Sequence, residues 1–341
     1  MKEDLHRKYY LKMFISVSSC ILFCIYLDIL IKRLRHSGIG CHIGGEYAGI
    51  FVYADDIFLL SASRPGLQAM VKECEDYAKE YNFNFSTNKD PEKSKTKCII
   101  FSKNQNQRKG NDKIMLNGNP LPWVDDVNHL GNLLQFDNSF RQDCLNKRGK
   151  FISKVHTLMQ EFHYVPSEVM LQLLKIYTTS FYSSSLWNLC SAECQKLYSS
   201  WNITIRHVFK LPYRTHNYFI ESISESLHAK TMLWSRFMQF HDSLINNKKS
   251  ILRLLAFLCE DDQRTTHGRN LHHLQMELKC DKIELSSSYI KQNMEFKGVP
   301  QDEQWRIPLL LNLLEIKKDS MQLNGFQDEE IDSMIEDVCI N

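Results

Sequence analysis

Two adjacent carboxylates, Asp55 and Asp56, are the residues of this chain whose types and spacing best suit chemistry. A short apolar run from Ala48 to Val52 precedes them, and a second run from Ile57 to Leu60 follows. Runs of this length that are rich in β-branched and aromatic residues are typical of buried strands. The sequence therefore predicts a β-hairpin with both aspartates at its tip.

Paired carboxylates beside apolar strands cost free energy to desolvate unless a positive group offsets their charge. A divalent cation can do so, because Mg²⁺ takes oxygen ligands from one or two carboxylates together with substrate phosphates. The alternative is an ordinary surface turn that carries two aspartates. The doublet by itself does not decide between the two interpretations.

The flanking sequence favours the metal site. Tyr53 and Ala54 complete a Tyr-Ala-Asp-Asp segment between apolar strands, and this segment resembles the metal-binding hairpin of reverse transcriptases in the form found in non-LTR retrotransposons. Three more segments resemble parts of that family in the same order: the helix after the template-contacting segment (Ile21 to Asp28), the lysine strand of the palm (Lys93 to Phe101) and the primer-grip turn (His129 to Asn132). Four ordered matches are far more specific than any one of them.

The resemblance implies RNA-directed DNA synthesis, in which a primer 3′-hydroxyl attacks the α-phosphate of a deoxynucleoside triphosphate and pyrophosphate leaves. Two Mg²⁺ ions about 3.5–4 Å apart would stabilise the attacking and leaving oxygens. Asp55 and Asp56 would be the metal ligands, and Lys95 would donate a proton to the leaving pyrophosphate. The partners implied are an RNA template, a DNA primer and deoxynucleoside triphosphates.

Other residues would contact nucleic acid if the resemblance holds. Tyr53 and Ala54 would shape the floor under the primer end, and Leu130 and Gly131 would form the primer grip. Lys93 and Lys97 would lie near phosphates, within a basic segment from Lys89 to Lys113 whose alternative interpretation is a solvated charge run. A predicted helix carries five cations that are consistent with gripping a duplex backbone: Arg141, Lys147, Arg148, Lys150 and Lys154.

The chain departs from the family at its start. Residues 1–19 match neither the fingers nor the strand that carries the first catalytic aspartate, as if a reading frame began inside the palm. We therefore expect an N-terminally truncated reverse transcriptase that is inactive as it stands. The alternative is a non-catalytic nucleic-acid-binding remnant of the element.

The predicted fold class is α+β, with a partial right-hand polymerase palm of β-hairpin and helices, then an all-helical thumb and a C-terminal extension. The predicted domains are an unmatched segment (1–19), a partial palm (20–137), a helical thumb-like region (138–240) and a helical extension (241–341) whose acidic end is a solvated tail.

Local signals predict several elements. Ser63 and Pro65 should begin a helix that packs under the hairpin with one apolar side: Leu67, Met70, Val71, Cys74, Ala78 and Tyr81. Asn117-Gly118 predicts a second hairpin, and the glycines between Gly38 and Gly45 predict a turn rather than a phosphate-binding loop. A helix after Pro166 should bury Val169, Leu173 and Ile176. Aromatic residues at helical intervals are predicted to be core rather than base-stacking platforms: Phe181, Tyr182, Trp187, Tyr198, Trp201 and Phe209.

Composition sets the remaining bounds. A net charge of +2 does not exclude nucleic-acid binding, because local charge matters more than the sum. The eleven cysteines follow no secreted framework and indicate an intracellular protein of the nucleus or cytoplasm. A group of cysteines and histidines between Cys259 and Cys280 has spacing that fits no compact zinc module. The apolar run from Met13 to Leu27 falls short of the ~20 residues of a membrane span, so a buried palm helix is favoured over a membrane anchor.

Overall fold

The computed structural model of the protein describes residues 25–88, 90, 93–102, 113–224, 228–279, 286, 290, 306, 309–310, 313–314 and 328–340. Predictions for residues 1–19, for the start of the helix at Ile21, for parts of the basic segment (89 and 103–112) and for Cys280 lie outside these residues. The described chain forms two compact units. The first contains the described residues up to Val127, with 135–137 and 249–255, and the second contains the others.

The longer helices of the described residues are α1 (25–37), α2 (Arg64–Glu80), α3 (Arg141–Glu161), α4 (Ser167–Thr178), α5 (Ala192–Val208), α6 (Asn217–Ser224), α7 (Ala229–Ile245), α8 (Ser250–Glu260), α9 (Thr266–Leu278) and α10 (Asp328–Ile340). The strands are β1 (His42–Ile43), β2 (Glu46–Tyr47), β3 (Ile50–Tyr53), β4 (Asp56–Leu59), β5 (Cys98–Ile99), β6 (Met115–Leu116), β7 (Asn119–Pro120), β8 (Trp123–Val124), β9 (Asp126–His129) and β10 (Asn132–Gln135). This is a mixed fold of helices and small sheets.

The described strands pair in five two-stranded sheets. Four of them join consecutive strands through two residues, whereas β5 lies parallel to β8. Asn117 and Gly118, at φ 52° and 73°, connect β6 to β7, so the predicted second hairpin is confirmed. Gly44 and Gly45 connect β1 to β2 with positive φ, which confirms a turn in the glycine-rich segment.

The hairpin that carries the aspartate doublet, β3–β4, rests on α1 and α2. Helix α2 begins as predicted, because the Ser63 hydroxyl accepts a hydrogen bond from the Gly66 amide at 3.2 Å. One cluster joins the two helices to the hairpin: Leu27, Leu30, Leu34, Met70, Cys74 and Tyr77 with Ile50, Val52, Ile57 and Leu59. The prediction that this helix braces the hairpin is confirmed, although Tyr77, which is fully buried, was not among the predicted core residues.

Polar contacts fix α1 against α2. The Arg33 guanidinium donates to both carboxylate oxygens of Glu80, at 2.7 and 2.9 Å, and lies 5.2 Å from the centre of the Tyr77 ring. The Tyr77 hydroxyl donates to the carbonyl of Tyr26. Helix α1 is therefore a buried support, as predicted for its described part, and no helix of the described residues is long and apolar enough to cross a membrane.

The second unit is mainly helical, and one large cluster contains most of its buried side chains. Helix α3 packs against α4 and α5, and the buried side chains of this core include Phe151, Leu174, Trp187, Leu197, Trp201, Ile205, Trp234 and Phe237. Among the aromatic residues predicted to be core, Phe181, Trp187, Tyr198 and Trp201 are buried and Phe209 is half-buried. The prediction was wrong for Tyr182, which is 60% exposed.

Two further predictions about burial were wrong. Helix α4 buries Met170, Leu171 and Leu174, whereas Val169 and Ile176 are exposed. The helix has apolar residues on two sides, and periodicity alone cannot choose between them. The acidic end is also not a solvated tail: it forms α10, whose apolar side (Ile331, Ile335, Val338 and Cys339) is buried with Leu211, Phe219, Leu310 and Leu313.

Candidate functional site

The aspartate doublet lies at the end of an antiparallel hairpin, as predicted. The last residue pair of the β3–β4 ladder is Tyr53 with Asp56, and Ala54 and Asp55 form the two-residue turn. Asp56 is therefore a strand residue, and Asp55 alone of the two belongs to the turn. Both carboxylates are exposed, as a ligand of a solvated cation must be.

The two faces of the hairpin differ in character. The face that packs on the helices carries Ile50, Val52, Ile57 and Leu59. Because alternate residues of a strand point to opposite faces, Asp56 shares the outer face with its partner Tyr53 and with the pair Phe51 and Phe58. Tyr53 is 67% exposed. The outer face thus presents an aromatic ring directly beside a carboxylate.

The backbone of the turn is unusual for its sequence. Ala54 has φ 49°, in the left-handed region where a side chain costs about 1–2 kcal/mol. Two-residue hairpin turns require positive φ at their first central residue, and glycine, asparagine or aspartate usually occupies it. The packing of β3 and β4 on the helices therefore holds Ala54 in a conformation that it disfavours. Eight other described non-glycine residues also have positive φ, so this conformation does not by itself mark the turn as functional.

The donor set suits Mg²⁺ in chemistry, and it consists of two carboxylates. Carboxylate oxygens are the ligands that this cation prefers. Asp55 lies in the turn and Asp56 is the first residue of β4, so two neighbouring positions of the backbone supply these carboxylates. Within the described residues no group of three or more histidine, cysteine, aspartate or glutamate side chains is placed to hold a metal. Asp55 and Asp56 would hold one cation whose other positions would be filled by water or phosphate, and the described residues place no third ligand of these types beside them.

The lysines of the predicted palm strand lie in irregular backbone that precedes strand β5. The strand prediction, Lys93 to Phe101, was wrong in length, because β5 contains just Cys98 and Ile99. The alternation of sides is nevertheless present: the three lysines are exposed, whereas Ser94 and Cys98 are buried and Thr96 is half-buried. The lysines are Lys93, Lys95 and Lys97. Hydrogen bonds hold this backbone, since Ser94 donates to the Thr96 carbonyl at 2.9 Å and Thr96 donates to the Ser86 carbonyl at 2.8 Å.

This lysine segment is linked to the hairpin through one apolar cluster. Cys98 packs in a cluster that contains Leu116, Leu121 and Leu59, and Leu59 is the last residue of β4. Burial raises the pKa of the Cys98 thiol to about 11, so this cysteine is a packing residue. Lys93 forms an ion pair with Asp90 at 3.3 Å.

The predicted primer-grip turn is a tight hairpin turn. Leu130 and Gly131 connect β9 to β10 with φ 48° and 77°, and positive φ at both positions is what a type I′ turn requires. A Cβ built on Gly131 would lie 3.8 Å from two carbon atoms of the Tyr182 ring. The turn is therefore in contact range of an exposed tyrosine.

Lys147, which was predicted to contact nucleic acid, is directed into the protein. Its ammonium donates to Oδ2 of Asp143 at 2.9 Å, to the Tyr182 carbonyl at 2.7 Å and to the Ser183 hydroxyl at 3.0 Å. It also lies 3.3 Å from Oδ1 of Asn132, beside the turn. The side chain is 13% exposed. These contacts favour a structural role, in which the ammonium neutralises the buried carboxylate of Asp143.

The other cations of α3 lie on both sides of its buried strip, because residues three, four and seven apart share a side of a helix. Lys150 and Lys154 are exposed on the side of Lys147, and Arg141 is exposed on the other side. Arg148 donates to the Ser200 hydroxyl at 2.8 Å and to the Lys196 carbonyl at 3.2 Å. Of the five predicted cations, Arg141 is therefore exposed on one side of the buried strip and Lys150 and Lys154 on the other, whereas Lys147 and Arg148 make contacts within the protein.

Sequence reasoning missed the network around Asp143. This side chain is 3% exposed and accepts hydrogen bonds from Lys147, from the indole of Trp187 at 2.8 Å and from the Leu133 amide at 3.3 Å. The spacing of Asp143 and Lys147, four residues apart on one helix, was the available signal.

Comparison with known protein families bears on the first unit. A family model described as reverse transcriptase (RNA-dependent DNA polymerase) matches residues 16–119. The match contains the β3–β4 hairpin with Asp55 and Asp56, the supporting helix α2, and the three exposed lysines. No curated protein matches the chain.

Proposed function

We propose that this chain carries the metal-binding hairpin and primer-contacting elements of an RNA-directed DNA polymerase of the non-LTR retrotransposon type. One observation carries the proposal. The antiparallel β3–β4 hairpin presents exposed Asp55 and Asp56 directly after Tyr53 and Ala54, inside the segment that matches the reverse transcriptase family.

Residues of the first unit would have separate roles in metal binding, primer support and phosphate binding. Asp55 and Asp56 would hold Mg²⁺, which when bound supplies positive charge to phosphate oxygens. Tyr53, on the same face of the hairpin as Asp56, would support the primer end together with Ala54. The exposed ammonium of Lys95 would protonate the leaving pyrophosphate, and Lys93 and Lys97 would bind phosphates.

The partners in this proposal are an RNA template, a DNA primer and deoxynucleoside triphosphates. Exposed cations of the second unit, Arg141 and Lys150, would add backbone contacts from a thumb-like region over residues 138–240. The turn at Leu130 and Gly131 would contact the primer. A location in the nucleus or cytoplasm is supported by the cysteines of the described residues, which are all free thiols.

The same geometry favours a second candidate, a nucleic-acid-binding protein without catalysis. In-line phosphoryl transfer uses cations clamped from more than one side, whereas within the described residues no third histidine, cysteine, aspartate or glutamate is grouped with Asp55 and Asp56. Loss of a single well-placed stabilising group costs other enzymes about 10²–10³ in rate. We therefore expect the 341-residue chain to bind primer–template without extending it.

Primer extension tests both candidates. The purified chain is incubated with a labelled DNA primer on an RNA template, with deoxynucleoside triphosphates and Mg²⁺ or Mn²⁺, and binding is measured in parallel. The expected result is binding at low salt without extension. Extension that is abolished by Asp55→Ala would show that the hairpin does complete an active site. Absence of binding at low salt would contradict both candidates.

A further inference from the structure

We propose that the exposed ring of Tyr182 is a stacking platform for a base of the bound nucleic acid, set beside the Leu130–Gly131 turn and positioned by Lys147. The inference deepens the proposed function and rests on it, since it names a contact for the same ligand.

The exposure of Tyr182 separates it from its aromatic neighbours. Phe181, next to it in the chain, is 4% exposed, and Trp187 is fully buried in the core of the second unit. Tyr182 lies between these two anchors and is 60% exposed. Its ring therefore contributes little to that core, and a large aromatic surface is directed to solvent at a position whose flanks are fixed.

The backbone under the ring is held firmly. The Lys147 ammonium donates to the Tyr182 carbonyl at 2.7 Å and lies 5.8 Å from the centre of the Tyr182 ring. The next residue, Ser183, has φ 60° and its hydroxyl accepts from the same ammonium at 3.0 Å. Lys147 is in turn paired with the buried carboxylate of Asp143. A ring on a backbone held by these hydrogen bonds loses little further conformational freedom on binding, and such preorganisation favours affinity.

The ring and the turn form one surface. A Cβ built on Gly131 would lie in ordinary van der Waals contact, 3.8 Å from two carbon atoms of the Tyr182 ring, so the ring lies directly beside the turn. Asn132, directly after the turn, accepts hydrogen bonds from Lys147 and from the Ser183 hydroxyl. Through these bonds the turn and the segment that carries the ring share one anchor. Any nucleic-acid strand that contacts the Leu130–Gly131 turn thus passes an exposed aromatic ring.

Stacking on a base is the interaction that this surface offers. The Lys147 hydrogens are already shared among protein oxygens, so the ammonium offers a phosphate little beyond long-range charge. Base–aromatic stacking tolerates any sequence, because every base has a flat π-surface. Removal of one stacking ring weakens binding of single-stranded nucleic acid by about 5- to 100-fold. Because no ion is released, the salt dependence of binding should stay the same.

The experiment compares three variants of the full chain. Binding of a fluorescent DNA primer on an RNA template with a single-stranded overhang is measured by anisotropy across a salt series. Tyr182→Ala should weaken binding about 5- to 100-fold at every salt concentration with an unchanged slope, and Tyr182→Phe should bind within about twofold of the parent. Tyr213→Ala is the matched control, because Tyr213 is also an exposed tyrosine (77%) of the second unit, and it should bind like the parent.

A spectroscopic readout separates stacking from a general loss of structure. Oligonucleotides that carry 2-aminopurine at successive positions should include one whose fluorescence is quenched by the parent and by Tyr182→Phe and is restored by Tyr182→Ala. Parent-like affinity of Tyr182→Ala, or equal losses in Tyr182→Ala and Tyr213→Ala, would overturn the platform and leave the proposed function standing. A parent chain that binds no nucleic acid would overturn both.

Discussion

The indole nitrogen of Trp187 donates a hydrogen bond to Oδ2 of Asp143 at 2.8 Å, deep in the second unit. The same carboxylate accepts from Lys147 on its own helix and from the Leu133 amide in β10. One buried charge thus ties α3, β10 and the segment that leads to Trp187. The stability of the fold depends on complete pairing of this carboxylate, because a buried charge without a partner costs folding free energy.

Removing one partner of this buried pair should be strongly destabilising. Asp143→Leu leaves the Lys147 ammonium, the Trp187 indole and the Leu133 amide without their acceptor, and we expect a loss of about 3–5 kcal/mol in the free energy of unfolding. Urea denaturation followed by tryptophan fluorescence measures it. The double variant Asp143→Leu with Lys147→Met should lose less than the sum of the two single variants. Strict additivity would show that the two side chains are not coupled.

Helix α4 offers a test of which side faces the core. Leu174→Ala should cost about 2–5 kcal/mol, since Leu174 is fully buried, whereas Ile176→Ala should stay within about 0.5 kcal/mol. Both substitutions shorten an aliphatic side chain on the same helix, so each serves as the other's control in thermal or urea denaturation. If Ile176→Ala cost more unfolding free energy than Leu174→Ala, the buried side of α4 would be the one that periodicity predicted.

The sequence predicted some elements of the fold and not others. The hairpins at Asp55 and Asn117 and the start of α2 at Ser63 were predictable, because their signals lie within a few neighbouring residues. The buried side of α4 and the inward direction of Lys147 were not. The buried side of α4 depends on partners distant in the chain. Lys147 has one nearby partner, Asp143, but it also binds the distant backbone carbonyl of Tyr182, which no side-chain pattern reveals.

The candidate site was predictable to a similar extent. The aspartates and the exposed lysines were found from local sequence and family resemblance. The exposure of Tyr182 could not be predicted, because an aromatic residue next to Phe181 and five positions before Trp187 fits a core pattern equally well. Its direction is set by the positive φ of Ser183 and by the anchor at Lys147.

Salt dependence should distinguish the lysines of the first unit. Lys95→Ala should lower the slope of log affinity against log salt by about 0.9, the value for one phosphate contact, when binding to primer–template is measured by anisotropy. The matched control is Lys72→Ala, since Lys72 is an exposed lysine of α2 that pairs with Asp76 at 2.9 Å. An unchanged slope for Lys95→Ala would remove this lysine from the nucleic-acid interface.

His228 should make stability depend on pH. Burial, followed by the nearby charge of Lys230, lowers the pKa of His228 from 6.5 to about 4. The ring is held neutral, because Nδ1 accepts from the Lys230 amide at 3.1 Å while Nε2 lies 2.8 Å from Oδ1 of Asn202. The unfolded chain takes up a proton below pH 6.5 and the folded chain does not until about pH 4. Stability from this group is therefore complete above pH 6.5 and falls as the pH decreases towards 4.

The test compares the parent with His228→Gln across that range. The full shift corresponds to roughly 3 kcal/mol, so the parent's advantage in unfolding free energy should shrink by up to that amount between pH 7 and pH 4. Denaturant titrations at several pH values give the difference directly. A gap that stays constant with pH would mean that His228 does not titrate differently in the folded and unfolded chains.

The strand pairings also set an order of events in folding. In the described residues four of the five sheets are hairpins with two-residue connections, and such hairpins form within about 1–10 μs. The parallel pair β5–β8 is different. Pairing of Cys98 with Trp123 closes a long loop, which contains the β6–β7 hairpin and the chain before it. Closing that loop costs conformational entropy before any contact compensates for it. The aspartate hairpin should therefore take shape early, and the exposed lysines that precede β5 should reach their places last within the first unit.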